Sequence, residues 1–184
     1  MEVKRYPIEG LVLLTPKVFG DHRGFFMETY NKQSFADAGI TLEFVQDNHS
    51  KSHKGILRGL HYQVKHPQAK LVRCLQGEIY DVAVDIRPGS PTFGQWVGEI
   101  LSSENKRQLM VPMGFAHGFQ VLSETAEVAY KCNNLYSPAN ERGICYNDPD
   151  LAISWPGGSD VVLSEKDTRN PCLKDINMQE LIGV

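Results

Sequence analysis

Several features that would point to other functions are missing from this chain. No stretch approaches the ~20 consecutive apolar residues that a membrane helix requires. The longest aliphatic run is only Leu11-Val12-Leu13-Leu14. The opening segment, Met1 to Pro7, has no apolar stretch of the secretory type. The four cysteines, Cys74, Cys132, Cys145 and Cys172, form no Cys-x-x-Cys, which fits reduced, mostly buried thiols in a cytosolic protein. There is no Gly-x-Gly-x-x-Gly, so the usual dinucleotide fingerprint is absent. Positive charge is not in excess: 19 Lys and Arg stand against 22 Asp and Glu, for a net charge of -3. No basic field exists to hold a nucleic acid or an anionic membrane. A small anionic ligand would have to be met by a local cluster of Lys and Arg. Internal repeats and low-complexity segments are also lacking.

What is present describes one domain, residues 1–184, of ordinary globular composition: 41% hydrophobic and 22% charged residues, too apolar for a disordered chain. Ten prolines and sixteen glycines cut it into short runs rich in Val, Ile, Phe, Tyr and Leu. Runs of strand length cover 24–30, 42–48, 56–62, 70–75, 78–86, 95–101, 108–111, 118–122 and 127–132. Their spacing predicts an all-β sandwich or barrel of antiparallel sheets. Within 78–86, Tyr80, Val82, Val84 and Ile86 share one face, and Asp81, Ala83 and Asp85 the other. One helix is expected over 33–38, capped by Asn31 and stopped by Gly39. A turn is expected over 102–106. The tail from 158 to 184 is less strand-like, with a short helical end over 177–182.

Polar residues fall where strand cores prefer apolar ones: Gln46 to His49, Arg58 and His61, Lys70, and His117 between Phe115 and Phe119. On a small barrel, several such residues together predict an inward-facing polar site. The spacing Gly55, His61, Gln63, Lys70, Gly77 resembles the first cupin motif, and Pro112-x-Gly114-x-x-His117 resembles the second. The cupin family is a jelly-roll barrel that often holds a metal on three His and one Glu. Here Gln63 and Lys70 replace two of those ligands. An ammonium has no lone pair and repels a divalent cation, so no metal is expected. Two imidazoles and a lysine suit proton transfer and anion binding instead.

A closer resemblance rests on longer motifs. Lys17 to Phe26, Phe44 to Ser50, Leu57 to His61, Lys70 to Arg73, Asp81 to Arg87, Pro112 to Phe119, Tyr136-Ser137-Pro138 and Ser164-x-Lys166-Asp167 together resemble the dTDP-4-dehydrorhamnose 3,5-epimerase family across about residues 1–175. The resemblance implies a cupin-type jelly roll with short peripheral helices, and inversion of C3 and C5 of dTDP-4-dehydro-6-deoxy-D-glucose on the way to dTDP-L-rhamnose. Both carbons flank the C4 ketone, so each inversion runs through an enolate. It needs a base, an acid on the opposite face and a donor for the enolate oxygen. No cofactor is required.

The resemblance also implies roles. His61 is the base, oriented by Asp167; Tyr130 is the acid. Lys70 is assigned here to the enolate oxygen, with His117 positioning the sugar. Arg23 and Arg58 suit the diphosphate. Glu28, Gln46, Asp47, Asn48, Glu141 and Lys166 surround nucleotide and sugar, and Tyr136 stacks on thymine, with Phe19 and Phe26 as walls. Similar proteins exchange an N-terminal strand within a homodimer, which would place Arg23 and Glu28 across an interface. By their alternation, Asp81 and Asp85 are expected to anchor Lys70 or His61. A mono-epimerase or a 3,4-ketoisomerase on a related dTDP-4-keto sugar, a sugar-binding cupin and a metal-dependent cupin remain as alternatives. The expected location is the cytoplasm.

Overall fold

The computed structural model describes residues 1–158 and 160–181. Thirteen strands are described: β1 Glu2–Arg5, β2 Val12–Thr15, β3 Val18–Asp21, β4 Gly24–Met27, β5 Gln46–His53, β6 Leu57–Gln63, β7 Lys70–Gln76, β8 Glu78–Asp85, β9 Trp96–Ser102, β10 Gln108–Val111, β11 Phe115–Val121, β12 Thr125–Cys132 and β13 Glu141–Gly143. Six of them form one antiparallel sheet in the order β1-β2-β10-β7-β12-β5, and five form a second in the order β13-β6-β11-β8-β9. Hairpin β3–β4 stands apart as a two-stranded sheet. The fold is the all-β double sheet that the strand spacing predicts.

Three apolar clusters hold the layers. Between the sheets lie Leu13, Val72, Ile79, Leu109, Phe115, Phe119 and Val128. The outer face of the five-stranded sheet presents Leu60, Tyr62, Val82, Val84 and Ile86 to a cover made from Ile144, Leu151, Leu173, Ile176 and Leu181. The outer face of the six-stranded sheet presents Val12, Leu14, Leu71 and Met110 to Phe35 and Ile40. Phe35 belongs to α1, Lys32–Asp37, whose first turn is capped by the Asn31 side chain accepting from the amides of Gln33 and Ser34. The chain leaves α1 through Gly39 at φ +81, the left-handed stop expected from sequence. Trapping ~2 kcal/mol per large side chain, these outer covers explain why β8 is buried on both faces from Asp81 to Asp85.

The tail is therefore structural. It carries a parallel bridge between Ile56 and Val162, single helical turns at Asp167–Arg169 and Leu173–Asp175, and α2, Met178–Leu181. The expected helical end lies over 177–182, of which position 182 falls outside the described residues. No helix among the described residues is long and apolar enough to cross a membrane.

Some expectations shift. The strand expected over 42–48 runs over 46–53 instead. Leu42 and Phe44 pack with Tyr30 against the cover cluster, and the polar segment that follows forms the strand. The strand expected over 118–122 begins earlier, because Phe115, Ala116 and His117 pair with Asp85, Val84 and Ala83. Strands β1, β2, β3 and β13 were not expected.

Candidate active site

The two sheets enclose a cavity of about 580 Å³. From the five-stranded sheet it is lined by Arg58 and His61 on β6 and His117 and Phe119 on β11. From the six-stranded sheet come Gln46, Asn48 and Ser50 on β5, Lys70 on β7 and Tyr130 on β12. Tyr136, Glu141, Ser164, Lys166 and Asp167 complete the wall.

A bulge sets β6. His61 stands opposite His117, and Arg58 opposite Phe119, with a register shift between them. Two residues, Gly59 and Leu60, thus face the single Gly118. One extra residue puts positions three apart on the same face, which is how Arg58 and His61 both reach the cavity. Gly59 has φ +124, and a Cβ there would lie 2.5 Å from Gly118 Cα, so only glycine fits. Strand β5 supplies the opposite wall by plain alternation: Gln46, Asn48, Ser50 and Ser52 turn inward, while Asp47, His49, Lys51 and His53 are exposed.

Both histidines carry a buried carboxylate. His61 Nε2 lies 2.5 Å from Asp167 Oδ1, and a quarter of its side chain remains open. Burial pushes the Asp167 carboxyl up, but the bond with His61 and that from Ser164 outweigh it, leaving it below the usual carboxylate range. His117 Nε2 lies 2.8 Å from Asp81 Oδ1, and both residues are buried. Asp81 therefore hydrogen-bonds His117, not Lys70 or His61. Asp85 anchors neither: it accepts from the Arg87 guanidinium and from the Ser90 and Thr92 hydroxyls. Those two aspartates correct the expectation drawn from alternation.

Lys70 is surrounded by protein yet part of it opens to the cavity. Burial pulls its pKa below the usual lysine range, against the opposing fields of Cys132, Asp81 and Glu141. Its ammonium lies 5.9 Å from the centre of the Tyr130 ring. Burial raises the Tyr130 phenol, which keeps it protonated at neutral pH. At the mouth, Glu141 accepts from Tyr136 Oη at 2.8 Å and pairs with Lys166. Burial raises Glu141, and those two partners more than reverse it, so its pKa is lowered. The Tyr136 amide donates to Gln46 Oε1.

Other expected residues lie elsewhere. Asp47 points outward and pairs with Lys131. Arg23 sits at the β3–β4 turn, paired with Asp21 and largely exposed. Glu28 accepts from Asn31 Nδ2 and lines a separate hollow with Phe19 and Phe26. Those two rings are exposed on the hairpin and do not wall the cavity. Gln63 is a clamp: its amide donates to His66 O and its oxygen accepts from Ser137 N. Sequence reasoning missed Ser50, whose buried hydroxyl has no partner, and Ser52, which accepts from Arg58 Nε at 3.0 Å. The even-numbered alternation after Gln46 was the signal for both.

A double-sheet barrel with two carboxylate-backed imidazoles on one wall and a lysine and a tyrosine on the other defines a proton-transfer site of the cupin type. The family model for dTDP-4-dehydrorhamnose 3,5-epimerase matches residues 5–175, and this chain belongs to that family. A relative of that name from Pseudomonas aeruginosa is 56% identical over 176 residues, covering 95% of this chain and 97% of the relative. One from Escherichia coli K12 is 52% identical over 185 residues, covering 100% of both. The crystal structure of dTDP-6-deoxy-D-glucose-3,5-epimerase from Legionella pneumophila Philadelphia 1, in complex with dTDP-4-keto-L-rhamnose, superposes with a TM-score of 0.96 at 53% identity, covering 100% of this chain and 98% of that one.

Proposed function

We propose that this protein inverts C3 and C5 of dTDP-4-dehydro-6-deoxy-D-glucose to give dTDP-4-dehydro-6-deoxy-L-mannose, by proton abstraction and return through an enolate, in dTDP-L-rhamnose synthesis. The observation that carries this reading is the division of groups between the walls. His61 stands on the five-stranded sheet and Tyr130 on the six-stranded sheet, with one cavity between them. Inversion needs a proton removed from one face of the ring and returned to the other, and two facing sheets supply two faces.

His61 takes the proton. Asp167 holds Nε2, fixing the tautomer and stabilising the imidazolium, so Nδ1 is the nitrogen that accepts. Lys70 stabilises the oxyanion that forms on the C4 ketone. Tyr130 returns a proton from the opposite wall. His117, held by Asp81, positions the sugar. Arg58, oriented by Ser52, takes the diphosphate; Gln46, Asn48, Glu141 and Lys166 take polar positions around nucleotide and sugar, and Tyr136 stacks on the base. None of these steps calls for a metal or a redox cofactor, so activity is expected to survive treatment with EDTA.

The protein works as a cytoplasmic homodimer in this reading. Hairpin β3–β4 exposes Phe19, Phe25 and Phe26 and, among the described residues, its strands pair only with each other, so a second copy is its natural cover. Such packing would deliver Arg23 and Glu28 to the partner's site. Sedimentation is expected to give twice the 20.7 kDa chain mass.

The test is turnover of the 4-keto substrate in D2O. Deuterium is expected at both C3 and C5. Label at a single carbon would make the protein a mono-epimerase, and product with the keto group moved to C3 would make it a ketoisomerase. H61N is expected to abolish label uptake while dTDP still binds.

A further inference from the structure

Beyond the cavity, one cluster of reactive side chains is unused by the proposed chemistry. Cys145 follows β13 and Cys172 follows the helical turn that carries Asp167. Though 27 positions apart, their sulfurs lie 3.3 Å from each other. The backbone brings them together: Cys145 N–H donates to Pro171 O at 2.9 Å. Both are partly exposed, whereas Cys74 and Cys132 are buried in the sheets and separate.

Asp148 lies close enough to be a third ligand for a metal ion, yet the geometry disfavours one. Its Oδ1 already accepts from the amides of Asp150 and Leu151, and its Oδ2 from Leu173 N at 2.6 Å. Two thiolates on a tetrahedral zinc, each about 2.3 Å from it, stand about 3.8 Å apart. The observed separation is shorter, and a modest approach reaches the ~2.05 Å of a disulfide.

We propose that Cys145 and Cys172 form a reversible disulfide that ties the strand end after β13 to the segment delivering Asp167. The oxidant is a small-molecule disulfide of the glutathione class. A Cys172 thiolate attacks one of its sulfurs and expels one small thiolate; Cys145 sulfur then attacks the mixed disulfide and expels the second. Two S–H bonds break and one S–S bond forms. The two protons end on the two released thiols, and the two electrons reduce the oxidant. Burial, and then the neighbouring Cys172, push the Cys145 thiol up to about 12. The dithiol form thus gains nothing from thiolate stabilisation at Cys145, which favours retention of the bond once it is made.

The consequence lies beside the site. Gly143 pairs with His61 across β13 and β6, and Asn170 Nδ2 contacts Asp167 Oδ1 at 3.5 Å. The bond would therefore hold both sides of the His61–Asp167 pair in place as the protein warms. The link is independent of which sugar the cavity takes.

The test incubates the native protein with oxidised glutathione and reads intact mass and peptide maps. The expected result is a loss of about 2 Da, one per thiol hydrogen, with peptides containing Cys145 and Cys172 joined. Tm should rise by about 7–14 °C, as expected for closing a loop of this length in a domain of this size, and dithiothreitol should reverse it. C145S and C172S should instead each carry one glutathionyl adduct on the remaining cysteine and show no rise in Tm. Persistence of both free thiols in native protein after prolonged oxidation would overturn the proposal. So would one zinc ion per chain released on thiol modification. Both readings come from native protein, so they stand even if a serine variant fails to fold.

Discussion

Lys70 is the residue at which function and stability should pull in opposite directions, and K70M separates them. Its ammonium is enclosed by protein, and among the described residues it has no carboxylate oxygen within 4.0 Å. The desolvation that lowers its pKa is a cost to the fold. The sign follows from linkage. With the folded pKa below the usual value near 10.4, the unfolded chain holds more protons between those two pH values. Stability therefore rises with pH across that window, and below it the full cost is present. Methionine matches the length of the stem and carries no charge. Exchanging an unpaired buried charge for an apolar group of similar volume should stabilise the fold by about 1–2 kcal/mol. For a chain of this size that raises Tm by about 2–8 °C.

The same substitution removes the donor assigned to the enolate oxygen. Loss of one such donor costs about 3–4 kcal/mol of transition-state stabilisation, or a rate reduction of about 10² to 10³. The assays are calorimetry of the apo protein and NMR of hydrogen exchange at C3 and C5. The expected pair is a higher Tm and slower exchange at both carbons. Exchange within tenfold of the native rate would refute the enolate role. A lower Tm would refute the claim that the charge is held at the expense of the fold. K70R keeps a charge that does not titrate below pH 12, so its residual activity should persist at alkaline pH where native activity falls.

Three further outcomes follow from the geometry. D167N removes the negative charge behind His61 and allows the amide to hold the wrong tautomer; kcat should fall by about 10² to 10⁴ while dTDP affinity by calorimetry changes less than about threefold. Y130F should still wash deuterium into the substrate from the His61 side, while formation of inverted product, read by NMR, slows by about 10² or more. D85N tests a purely structural carboxylate. Burial raises the Asp85 pKa, but its bonds with Arg87, Ser90 and Thr92 bring it from 3.8 down to about 2. A depressed carboxylate stabilises above its unfolded pKa and loses that contribution as pH falls through the folded one. Urea melts should show D85N weaker by about 2 kcal/mol at pH 7, with the gap closing between pH 4 and pH 2.

Burial made most of the sheet strands legible in the sequence, β2 excepted: its Val12, Leu13 and Leu14 are buried but stood out only as an aliphatic run. Strands β7, β8, β10 and β12 read correctly because apolar side chains face the space between the sheets, an outer cover, or both. Strands β1, β3 and β13 have little or no buried face, so their pairing is decided by neighbours and not by their own residues. Strand β5 was displaced because its inward face is polar: Leu42 and Phe44 drew the assignment toward the cover. In the site, His61, Lys70 and His117 were legible as polar intrusions into strands, whereas Tyr130, an aromatic in an apolar strand, was singled out only through family resemblance. Asp167 was legible only through family resemblance, since 106 positions separate it from His61 and nothing local distinguishes it from a solvated tail carboxylate. Asp47 misled for the converse reason. It sits within a functional motif, but strict alternation on β5 sends it to the outer face.

The same alternation explains why one cavity can hold groups of opposite character. The five-stranded sheet contributes two imidazoles, each with an aspartate on Nε2, and in the proposed reaction His61 on this wall receives the proton. The six-stranded sheet contributes Lys70 and Tyr130: burial pulls the lysine's pKa down against the opposing fields of Cys132, Asp81 and Glu141, and burial pushes the phenol up. In the proposed reaction that wall supplies the donors. A flat site on a single sheet would bring these groups within reach of one another and let them neutralise in pairs, as Arg23 and Asp21 do on their hairpin. Separate sheets, spaced by side chains such as Phe115, Phe119 and Val128, keep the proposed acid and base on different walls until a ring lies between them. The requirement for opposite-face chemistry is thus met by the architecture itself, and the identity of a handful of inward-facing side chains decides what that architecture does.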